Sequence, residues 1–394
     1  MYNEENTPKI YNNQYMKILQ SSPKEQINTL QQQYNTKLVK ENERPTSLVS
    51  RHSKRQCKKC NRKKILYDKN SDQCRNCFKV TLRVLSGNKI IDDFIELTQT
   101  SYGCLTRKSK LEFIPYEQFT NIKYLAKGGF SVIYKATWID GPITGWNSKK
   151  QKQIRKSNYN VVLKCLNNSE KMDSDCLYEN SYNYGSVIHR YLGITQDPKA
   201  KNYIMVIEYA QNRDLHYFLN KAIALSWLEK LNLLRTIAKG LDSLHYYLNF
   251  IHRDLHSGNI LIDEADGPTI ADLGLSKPMN GSSDKNAIYG VIPYVAPEVL
   301  KGGKFTTKSD IYSFGMIIWE VINGCRPFSD RKHDEYLILD ILDGLHPKIP
   351  SNIPQDLIEL INRCWHSNPE KRFPNFYDII SPLNSLIDKQ KTEK

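Results

Sequence analysis

Three polar residues between positions 254 and 272 have the types and spacing that phosphoryl transfer requires. Asn259 follows Asp254 by five residues, and the apolar run Ile260-Leu261-Ile262 that comes next predicts a short buried strand. Asp272 follows a second apolar stretch and lies two residues before Gly274. If the two strands form a hairpin, the three polar side chains converge. One carboxylate can then accept a hydroxyl proton while the amide and the other carboxylate hold metal ions on phosphates.

Two stretches upstream carry related signals. Residues 125–136 predict two strands joined by a turn that contains Gly128 and Gly129, and such a turn can bring backbone N–H groups over phosphates. The apolar strand predicted at Val161-Val162-Leu163-Lys164-Cys165 contains one charge. Because a buried strand does not tolerate an unpaired ammonium, Lys164 should have a partner.

The run His252-Arg253-Asp254-Leu255-His256-Ser257-Gly258-Asn259, followed by Asp272-Leu273-Gly274, resembles the catalytic loop and D-F-G motif of protein kinases. Ala296-Pro297-Glu298 resembles the A-P-E motif, and residues 116–390 resemble a complete kinase domain. This resemblance implies an α+β fold with two lobes, a β-rich N-lobe and a helical C-lobe. It also implies ATP and Mg²⁺ as cofactors and a protein hydroxyl as the substrate.

The resemblance assigns roles to individual residues. Lys164 would hold the α- and β-phosphates and pair with a glutamate on the following helix, for which Glu179 is preferred over Glu170. Asp254 would orient the hydroxyl and accept its proton, and Asn259 and Asp272 would bind Mg²⁺.

The nucleotide pocket is implied in the same way. Ile207 would line the back of the adenine pocket, and the backbone around Glu208 and Ala210 would pair with the adenine edge. The residues expected around the nucleotide are Ala126, Lys127, Gly128, Gly129, Phe130, Ser131, Ile133, Val162, Lys164, Glu179, Ile207, Glu208, Ala210, Asn259, Leu261 and Asp272.

Supporting residues are expected around this site. By resemblance, Arg372 would form a buried ion pair with Glu298, and Asp310 would hold the backbone of the catalytic loop. A helix is predicted over 228–248 because apolar residues recur on one face, and His245 on that face is expected to pack rather than to catalyse.

Several features are similar to the tyrosine-kinase-like group and to kinase families expanded in mycorrhizal fungi, which are mostly serine/threonine kinases. The sequence departs from the family pattern at four places. His256 replaces a lysine, Leu273 replaces phenylalanine, Val291 replaces threonine, and the glycine-rich loop keeps only Gly128 of its three motif glycines. An active serine/threonine kinase is expected, because the sequence retains the four principal catalytic residues, Lys164, Asp254, Asn259 and Asp272.

Charge is distributed unevenly along the chain. The net charge of +14 comes mainly from residues 1–115, which carry +11, while the remainder carries +3. The polar, acidic start is not a secretory signal, and no apolar run is long enough to span a membrane. We therefore expect an intracellular protein, cytoplasmic or nuclear.

Four cysteines upstream have the spacing of a metal site. Cys57 and Cys60 form one C-x-x-C pair, Cys74 and Cys77 form another, and 13 residues separate the pairs. Two such turns on a hairpin can supply four thiolates to a structural Zn²⁺. Reduced surface cysteines and a redox pair are the alternatives. Eight cations in 51–64 could contact nucleic acid, but a solvated basic flank is the simpler interpretation.

The predicted domain organisation has four parts. Residues 1–50 are rich in Asn and Gln and are expected to be disordered, 51–80 form the zinc hairpin, 81–115 contain a linker helix, and 116–390 form the kinase domain. Within that domain, 137–160 are an insertion with five cations, expected to be a flexible surface loop or else a docking element.

Two other functions are consistent with the sequence. The altered glycine loop would suit a pseudokinase that acts as a scaffold in a signalling complex. The basic cysteine-paired segment would suit a zinc-dependent nucleic-acid binder whose kinase domain is regulatory. The substrate protein and the oligomeric state are not predicted.

Overall fold

The computed structural model describes residues 55–58, 63–64, 84–100, 111–127, 131–147, 150, 152–166, 187–221, 225–264, 267–273, 277–278 and 290–392. The chain divides into two compact units. The first contains Met1–Gly185 and Tyr191–Ile207, and the second contains Ser186–Arg190 and Glu208–Lys394. The segment predicted to be disordered, 1–50, lies outside the described residues.

The first unit is rich in strands. Its helix and strands are β1 (Arg55–Gln56), β2 (Lys63–Lys64), α1 (Lys89–Thr100), β3 (Glu112–Phe113), β4 (Phe119–Lys127), β5 (Ser131–Trp138), β6 (Ile143–Asn147), β7 (Lys152–Arg155), β8 (Tyr159–Leu166), β9 (Tyr191–Gln196) and β10 (Tyr203–Glu208). The main sheet has six strands in the order β3-β9-β10-β8-β5-β4.

Both faces of β10 are buried, which explains the uninterrupted apolar run Tyr203–Val206. Alternate residues of a strand point to opposite faces. Ile204 and Val206 therefore join one core cluster with residues of β5 and β8, while Tyr203 and Met205 join another. Helix α1 covers this second face with Ile91, Phe94 and Ile95. The helix predicted before the kinase domain is thus confirmed, and it packs on the sheet.

The main sheet of this unit contains one parallel pair of strands. β3 pairs with β9 in parallel, with Glu112 opposite Gly193 and Phe113 opposite Ile194. Strand β3 and helix α1 both precede residue 116, yet they belong to the same compact unit as the strands that follow.

The structure also corrects the prediction that the insertion at 137–160 is a flexible loop. Where a flexible loop was expected, β6 and β7 form an antiparallel hairpin in which Ile143 pairs with Arg155 and Asn147 with Lys152. Ser148, Lys149 and Gln151 of its turn lie outside the described residues. Exposure alternates along Lys152–Arg155, with Lys152 and Ile154 exposed and Gln153 and Arg155 partly buried, but the cations on both faces hide this period from the sequence.

The second unit is mainly helical. Its helices are α2 (Leu215–Lys221), α3 (Trp227–Tyr246), α4 (Pro297–Leu300), α5 (Thr307–Asn323), α6 (Glu335–Leu342), α7 (Gln355–Cys364) and α8 (Tyr377–Thr392). Its short strands are β11 (Phe250–Ile251), β12 (Ile260–Asp263), β13 (Gly267–Ile270) and β14 (Lys277–Pro278). No helix within the described residues is long and apolar enough to cross a membrane.

Helix α5 lies at the centre of this unit. Every residue from Ser309 to Ile322 is buried, as expected for a helix that is apolar on all sides. Thr306 caps its first turn, and its reciprocal bonds with Ser309 form a capping box. The face predicted for α3 is confirmed, since Leu231, Leu234, Ile237, Ala238, Leu241 and His245 are all buried.

Candidate active site

The loop of residues 252–259, which we call the catalytic loop, is fixed by a buried carboxylate on α5. Asp310 accepts hydrogen bonds from the backbone nitrogens of His252, at 2.7 Å, and Arg253, at 3.1 Å. Arg253 has a φ of 72°, in the left-handed region, so the backbone here needs such support. The predicted role of Asp310 is confirmed.

His245 orients that carboxylate in turn. Its Nε2 lies 2.8 Å from Oδ2 of Asp310, and its ring packs edge-on against Phe376 at 5.1 Å between centroids. The prediction of a packing histidine is therefore confirmed. Its contact with Asp310 was not predicted, although a histidine on an otherwise apolar helix face indicates a buried partner.

Asp254 and Asn259 of the catalytic loop are in direct contact. The amide nitrogen of Asn259 donates to the carbonyl oxygen of Asp254 at 2.8 Å and lies 3.3 Å from its carboxylate oxygen Oδ2. Because Nδ2 is used in these contacts, the Asn259 atom left to face a ligand is the carbonyl oxygen Oδ1. An amide oxygen is a suitable ligand for a hard cation such as Mg²⁺.

The predicted hairpin brings Asp272 to the same place. β12 and β13 pair antiparallel, with Ile260 opposite Ile270. Just beyond this pair, Ala271 donates its N–H to the carbonyl of Asn259 at 2.8 Å. Asp272 follows with a φ of 55° and is partly exposed. This backbone contact holds the residue before Asp272 against Asn259. A carboxylate and an amide oxygen are donor types that fit a Mg²⁺ ion, and Asp272 and Asn259 would be the residues to hold it.

His252 connects these parts of the site. Its Nε2 donates to the carbonyl of Ala271 at 3.1 Å, and its Nδ1 faces the backbone nitrogen of Asp254 at 3.4 Å. Complete burial lowers the pKa of His252, although the negative charges of Asp310 and Asp254 act to raise it. The ring is therefore neutral, with the proton on Nε2, and it braces the loop without adding charge.

His256 takes the position of the family lysine and faces the catalytic carboxylate. Its Nδ1 accepts from the backbone nitrogen of Gly258 at 3.1 Å, and its Nε2 lies 3.7 Å from Oδ2 of Asp254. Burial by itself raises the pKa of Asp254, but the hydrogen bond and charge of His256 and the hydrogen bond of the Asn259 amide oppose it, and the net effect is a lowered pKa. Asp254 is therefore ionised at neutral pH.

In the strand-rich unit, the expected nucleotide residues form a row across three strands. Ala126 of β4 is opposite Ile133 of β5, and Ile133 is opposite Lys164 of β8. Lys164 is buried, as the sequence indicated. In the flanking pairs, Lys127 is opposite Val132, Lys135 is opposite Val162, and Ser131 is opposite Leu166. Gly128, Gly129, Phe130 and Glu179 lie outside the described residues, so the pairing of Lys164 with Glu179 stays a prediction.

The segment expected to contact adenine has a well-defined backbone. Glu208 donates its N–H to the carbonyl of Arg190 at 2.9 Å, and its own carbonyl accepts from Nε2 of His189 at 2.7 Å. A carbonyl has a second lone pair, so this bond still leaves Glu208 able to accept another. Ala210 is buried two residues further on, and Leu261 pairs with Thr269 in the β12–β13 hairpin.

The predicted ion pair between Arg372 and Glu298, the last residue of the A-P-E motif, is confirmed. Both terminal nitrogens of Arg372 bond the carboxylate of Glu298, at 2.7 and 2.8 Å. The Arg372 side chain is fully buried and also donates to the carbonyls of His366 and Lys308. This two-bond geometry fixes the A-P-E motif within the helical unit.

A buried carboxylate on α5 was missed by sequence reasoning. Glu320, which is 0% exposed, accepts from the hydroxyl of Tyr294 at 2.5 Å and lies 2.9 Å from Nδ1 of His216. The Tyr294 hydroxyl also lies 3.3 Å from Oγ of Ser257, in the catalytic loop. A single charge in the apolar run Ile317–Ile322 was the available signal, and it is the same signal that identified Lys164.

The four predicted zinc ligands cannot be compared with the structure as a set. Cys57 is buried beside the β1–β2 pair, and Cys60, Cys74 and Cys77 lie outside the described residues. Among the residues that are described, no group of three or more histidine, cysteine, aspartate or glutamate side chains could hold a metal ion.

Comparison with known proteins identifies relatives over most of the chain. Residues 119–383 match the model of the family described as protein tyrosine and serine/threonine kinase. A provisionally named serine/threonine-protein kinase/receptor of Acanthamoeba polyphaga mimivirus is 29% identical over 313 residues, 78% of this chain and 18% of that protein. A Dictyostelium discoideum protein, named as a probable serine/threonine-protein kinase, is 31% identical over 66% of this chain and 27% of its own length.

A serine/threonine-protein kinase of Arabidopsis thaliana is 32% identical over 190 residues, 48% of this chain and 33% of that protein. The chain thus spans a third or less of the length of these relatives.

Proposed function

The chain belongs to the protein tyrosine and serine/threonine kinase family, and on that premise we propose that it is an ATP-dependent kinase that phosphorylates serine or threonine hydroxyls of proteins in intracellular signalling. The observation that carries the proposal is the catalytic loop, in which Asp254 and Asn259 are hydrogen-bonded to each other while Asp310 fixes the backbone between β11 and Asp254. The serine/threonine preference is supported by the names of the relatives.

Asp254 is proposed to orient the substrate hydroxyl and to accept its proton. The lowered pKa of Asp254 keeps it ionised, which suits a hydrogen-bond acceptor that aligns the hydroxyl. A carboxylate with a low pKa is a weak base. We therefore expect the hydroxyl proton to move to Asp254 late, after the bond between the hydroxyl oxygen and the γ-phosphorus has begun to form and has made the hydroxyl acidic. His252 and Asn259 hold Asp254 in place during this step.

Asn259, Asp272 and Lys164 are proposed to bind the nucleotide. The Oδ1 atom of Asn259 and the carboxylate of Asp272 are the oxygen ligands expected for Mg²⁺, and the Lys164 ammonium is expected to contact the α- and β-phosphates, with Glu179 as its partner. When bound, Mg²⁺ would neutralise charge on the phosphates. The row of Ala126, Ile133 and Lys164 supports the placement of the nucleotide against β4, β5 and β8.

His256 bears on hydroxyl preference. Serine/threonine kinases usually place a lysine here, but His256 directs its Nε2 towards Asp254 rather than offering a long flexible ammonium. We expect this to slow phosphoryl transfer without abolishing it. The scaffold and nucleic-acid alternatives are not favoured, because the principal catalytic side chains are all present in the sequence.

The test is to incubate the purified full-length chain with ATP, Mg²⁺ and a mixture of unstructured protein substrates, and to map the phosphorylated residues by mass spectrometry. Phosphoserine and phosphothreonine should form with the wild type but not with Asp254→Asn. The exposed Asp343→Asn is a control for the same chemical change. Phosphate on tyrosine alone would contradict the proposed specificity, and equal phosphorylation by the two variants would contradict the role of Asp254.

A structural Zn²⁺ held by Cys57, Cys60, Cys74 and Cys77 is a further part of the proposal. Support comes from the spacing of the cysteines and from the pairing of Arg55–Gln56 with Lys63–Lys64, which flank the first C-x-x-C pair. Metal analysis of the purified chain should find one zinc, and Cys74→Ser/Cys77→Ser should remove it. Zinc retained by that double variant would exclude the four-thiolate site.

A further inference from the structure

The outward face of strand β7 combines positive charge with an apolar side chain. Lys152 and Ile154 point outwards, and Lys156 is exposed one step beyond the strand. Ile154 is 47% exposed, whereas Gln153 and Arg155 on the opposite face are only partly exposed. We call these three residues the basic strip. They form a line in which one aliphatic side chain lies between two ammonium groups.

The opposite face of β7 is firmly attached to the strand-rich unit. Arg155 forms an ion pair with Glu112 of β3 and donates to the carbonyl of Gly141 at 2.8 Å. Its guanidinium also lies 5.7 Å from the centre of the Trp138 ring. One side chain therefore connects the hairpin to an edge strand, to the start of the insertion and to the end of β5.

The base of the hairpin is closed by backbone contacts. Lys156 donates to the carbonyl of Pro142 at 3.1 Å, and Asn158 donates to the carbonyl of Ile139 at 2.9 Å. Gly141 has a φ of 66°, and a Cβ there would lie 1.7 Å from the carbonyl oxygen of Lys156. Only glycine fits this approach, so the insertion is a specifically built element.

The Arg155–Glu112 contact fixes orientation more than it adds stability. Burial raises the pKa of Glu112 even though the hydrogen bond and charge of Arg155 oppose the change. Burial is thus the largest influence on this carboxylate, and a buried ion pair of this kind is expected to add little stability. An insertion that was merely tolerated on the surface would not require such a contact, whereas a surface that must be presented in one orientation would.

We propose that the basic strip is a docking surface for an extended acidic segment of a partner protein. The partner segment would place an apolar side chain on Ile154 and a carboxylate on each of Lys152 and Lys156. Alternate residues of a strand are about 6.6 Å apart, so an extended peptide with acidic residues two positions before and after an aliphatic residue matches the strip. This inference does not depend on the proposed kinase activity.

The charge around the strip favours an acidic partner. Asp140 is the single carboxylate in residues 139–158, which contain five cations. Within the described residues, no carboxylate forms an ion pair with Lys150, Lys152 or Lys156. The ammonium of Lys156 lies 5.0 Å from the centre of the Tyr159 ring, which holds it at the surface without neutralising it. The positive charge is therefore available to an incoming anion.

The aliphatic residue distinguishes this surface from two simpler explanations. Lysines on an edge strand often prevent aggregation, but that purpose is opposed by exposing Ile154 between them. Nucleic acid would be bound by closely spaced cations and would gain little from an isoleucine. An extended acidic peptide uses all three side chains, since its own residues alternate in the same way.

The experiment measures binding of a fluorescent peptide of about 12 residues, centred on Glu-Thr-Val-Thr-Glu, to the full-length chain. We expect saturable binding that Lys152→Glu/Lys156→Glu weakens by about tenfold, since two favourable charge contacts become repulsive. Ile154→Thr keeps the strand propensity and should weaken binding by about threefold, through loss of apolar burial.

Lys199→Glu/Lys332→Glu is the matched control, because it makes the same change in net charge at two exposed positions outside the insertion. The control variant should bind the peptide with the same affinity as the wild type. Thermal unfolding of each variant, and its phosphorylation of a protein substrate without acidic segments, should be unchanged, which separates loss of docking from loss of folding or catalysis.

Three results would overturn the proposal. The first is absence of saturable binding by the wild type. The second is equal weakening by the control pair. The third is tighter binding of a single-stranded RNA of about 12 nucleotides that is insensitive to Ile154→Thr, which would identify the strip as a polyanion site.

Discussion

Two antiparallel hairpins in this molecule differ in what holds them. The catalytic hairpin, β12–β13, follows a loop whose backbone is bound by Asp310, on the fully buried helix α5. The insertion hairpin, β6–β7, is held by Arg155, which reaches out to the two-residue edge strand β3. We call Asp310 the central anchor and Arg155 the peripheral anchor. Both are charged side chains, but Asp310 lies at the centre of its unit and Arg155 binds at a sheet edge.

The difference shows how a fold separates precision from adaptability. Asp310 accepts two backbone N–H groups and a histidine, so several segments share one anchor and must move together. Arg155 serves one hairpin whose outward face is exposed. We therefore expect substitutions around α5 to affect catalysis strongly, and substitutions around Arg155 to affect only the hairpin and whatever binds it.

The largest effect is expected for Asp254→Asn. The variant keeps the shape of the side chain but removes the proton acceptor, so turnover should fall by about 10³-fold, while nucleotide affinity changes little. Single-turnover kinetics and nucleotide titration measure the two quantities separately. A parallel loss of nucleotide affinity would show that Asp254 supports the binding site rather than the chemical step.

Asp310→Asn tests the central anchor itself. Asparagine retains one acceptor oxygen, so the loop backbone would lose part of its support and Asp254 would be displaced; we expect a turnover lower by about 10²-fold. Nucleotide affinity should be nearly unchanged. His245→Phe, which removes the contact with Asp310 but preserves packing against Phe376, should give a smaller loss in the same direction.

If Asp310→Asn reduced turnover no more than the exposed Asp343→Asn, Asp310 would not control the position of the catalytic loop. The contrast between the two hairpins would then concern packing alone.

The sequence predicted the parts of the fold whose signals are local. Spacing of apolar residues predicted α1 and α3, and the hairpin that joins Asn259 to Asp272 followed from two short apolar runs around a polar turn. Motif order predicted the contacts of Asp310 and the Arg372–Glu298 pair. These predictions succeeded because each depends on periodicity or on residues with few alternative roles.

What the sequence did not predict depends on contacts between distant segments. The five cations of the insertion favoured a loop, because the β7 pattern is only four residues long and its inward side chain, Arg155, is itself charged. Its partner Glu112 lies 43 residues earlier, in a strand too short to be recognised by periodicity. Glu320 was missed for a similar reason, since its partners His216 and Tyr294 come from two other segments.

Ion pairs at buried and exposed positions provide a sharper form of the comparison. Arg372 is fully buried, and its loss would leave Glu298 and two carbonyls without their donor. Arg372→Met should therefore lower the free energy of unfolding by about 2 kcal/mol. Lys389→Met removes the exposed pair with Asp356, whose side chains are more than half exposed, and should cost less than about 0.5 kcal/mol.

Denaturant unfolding of both variants measures this difference. Equal losses would mean that burial does not determine the contribution of charged anchors in this protein.

The smallest effect is expected at the peripheral anchor, and its sign depends on pH. Because burial raises the pKa of Glu112, the folded protein holds this proton more tightly than the unfolded chain does. The contribution of Glu112 to the free energy of unfolding therefore falls as pH rises from the ordinary glutamate value to the raised one, and it is constant on either side. Glu112→Gln does not titrate, so it should lose this dependence.

At neutral pH we expect Glu112→Gln to change the free energy of unfolding by less than about 1 kcal/mol, because the wild-type carboxylate is costly to bury even when paired. Urea unfolding of both proteins across mildly acidic to neutral pH gives the comparison. If the wild type instead gained stability relative to Glu112→Gln as pH rose, the ion pair would be a net stabiliser. Arg155 would then resemble Asp310 more closely than the positions of the two anchors suggest.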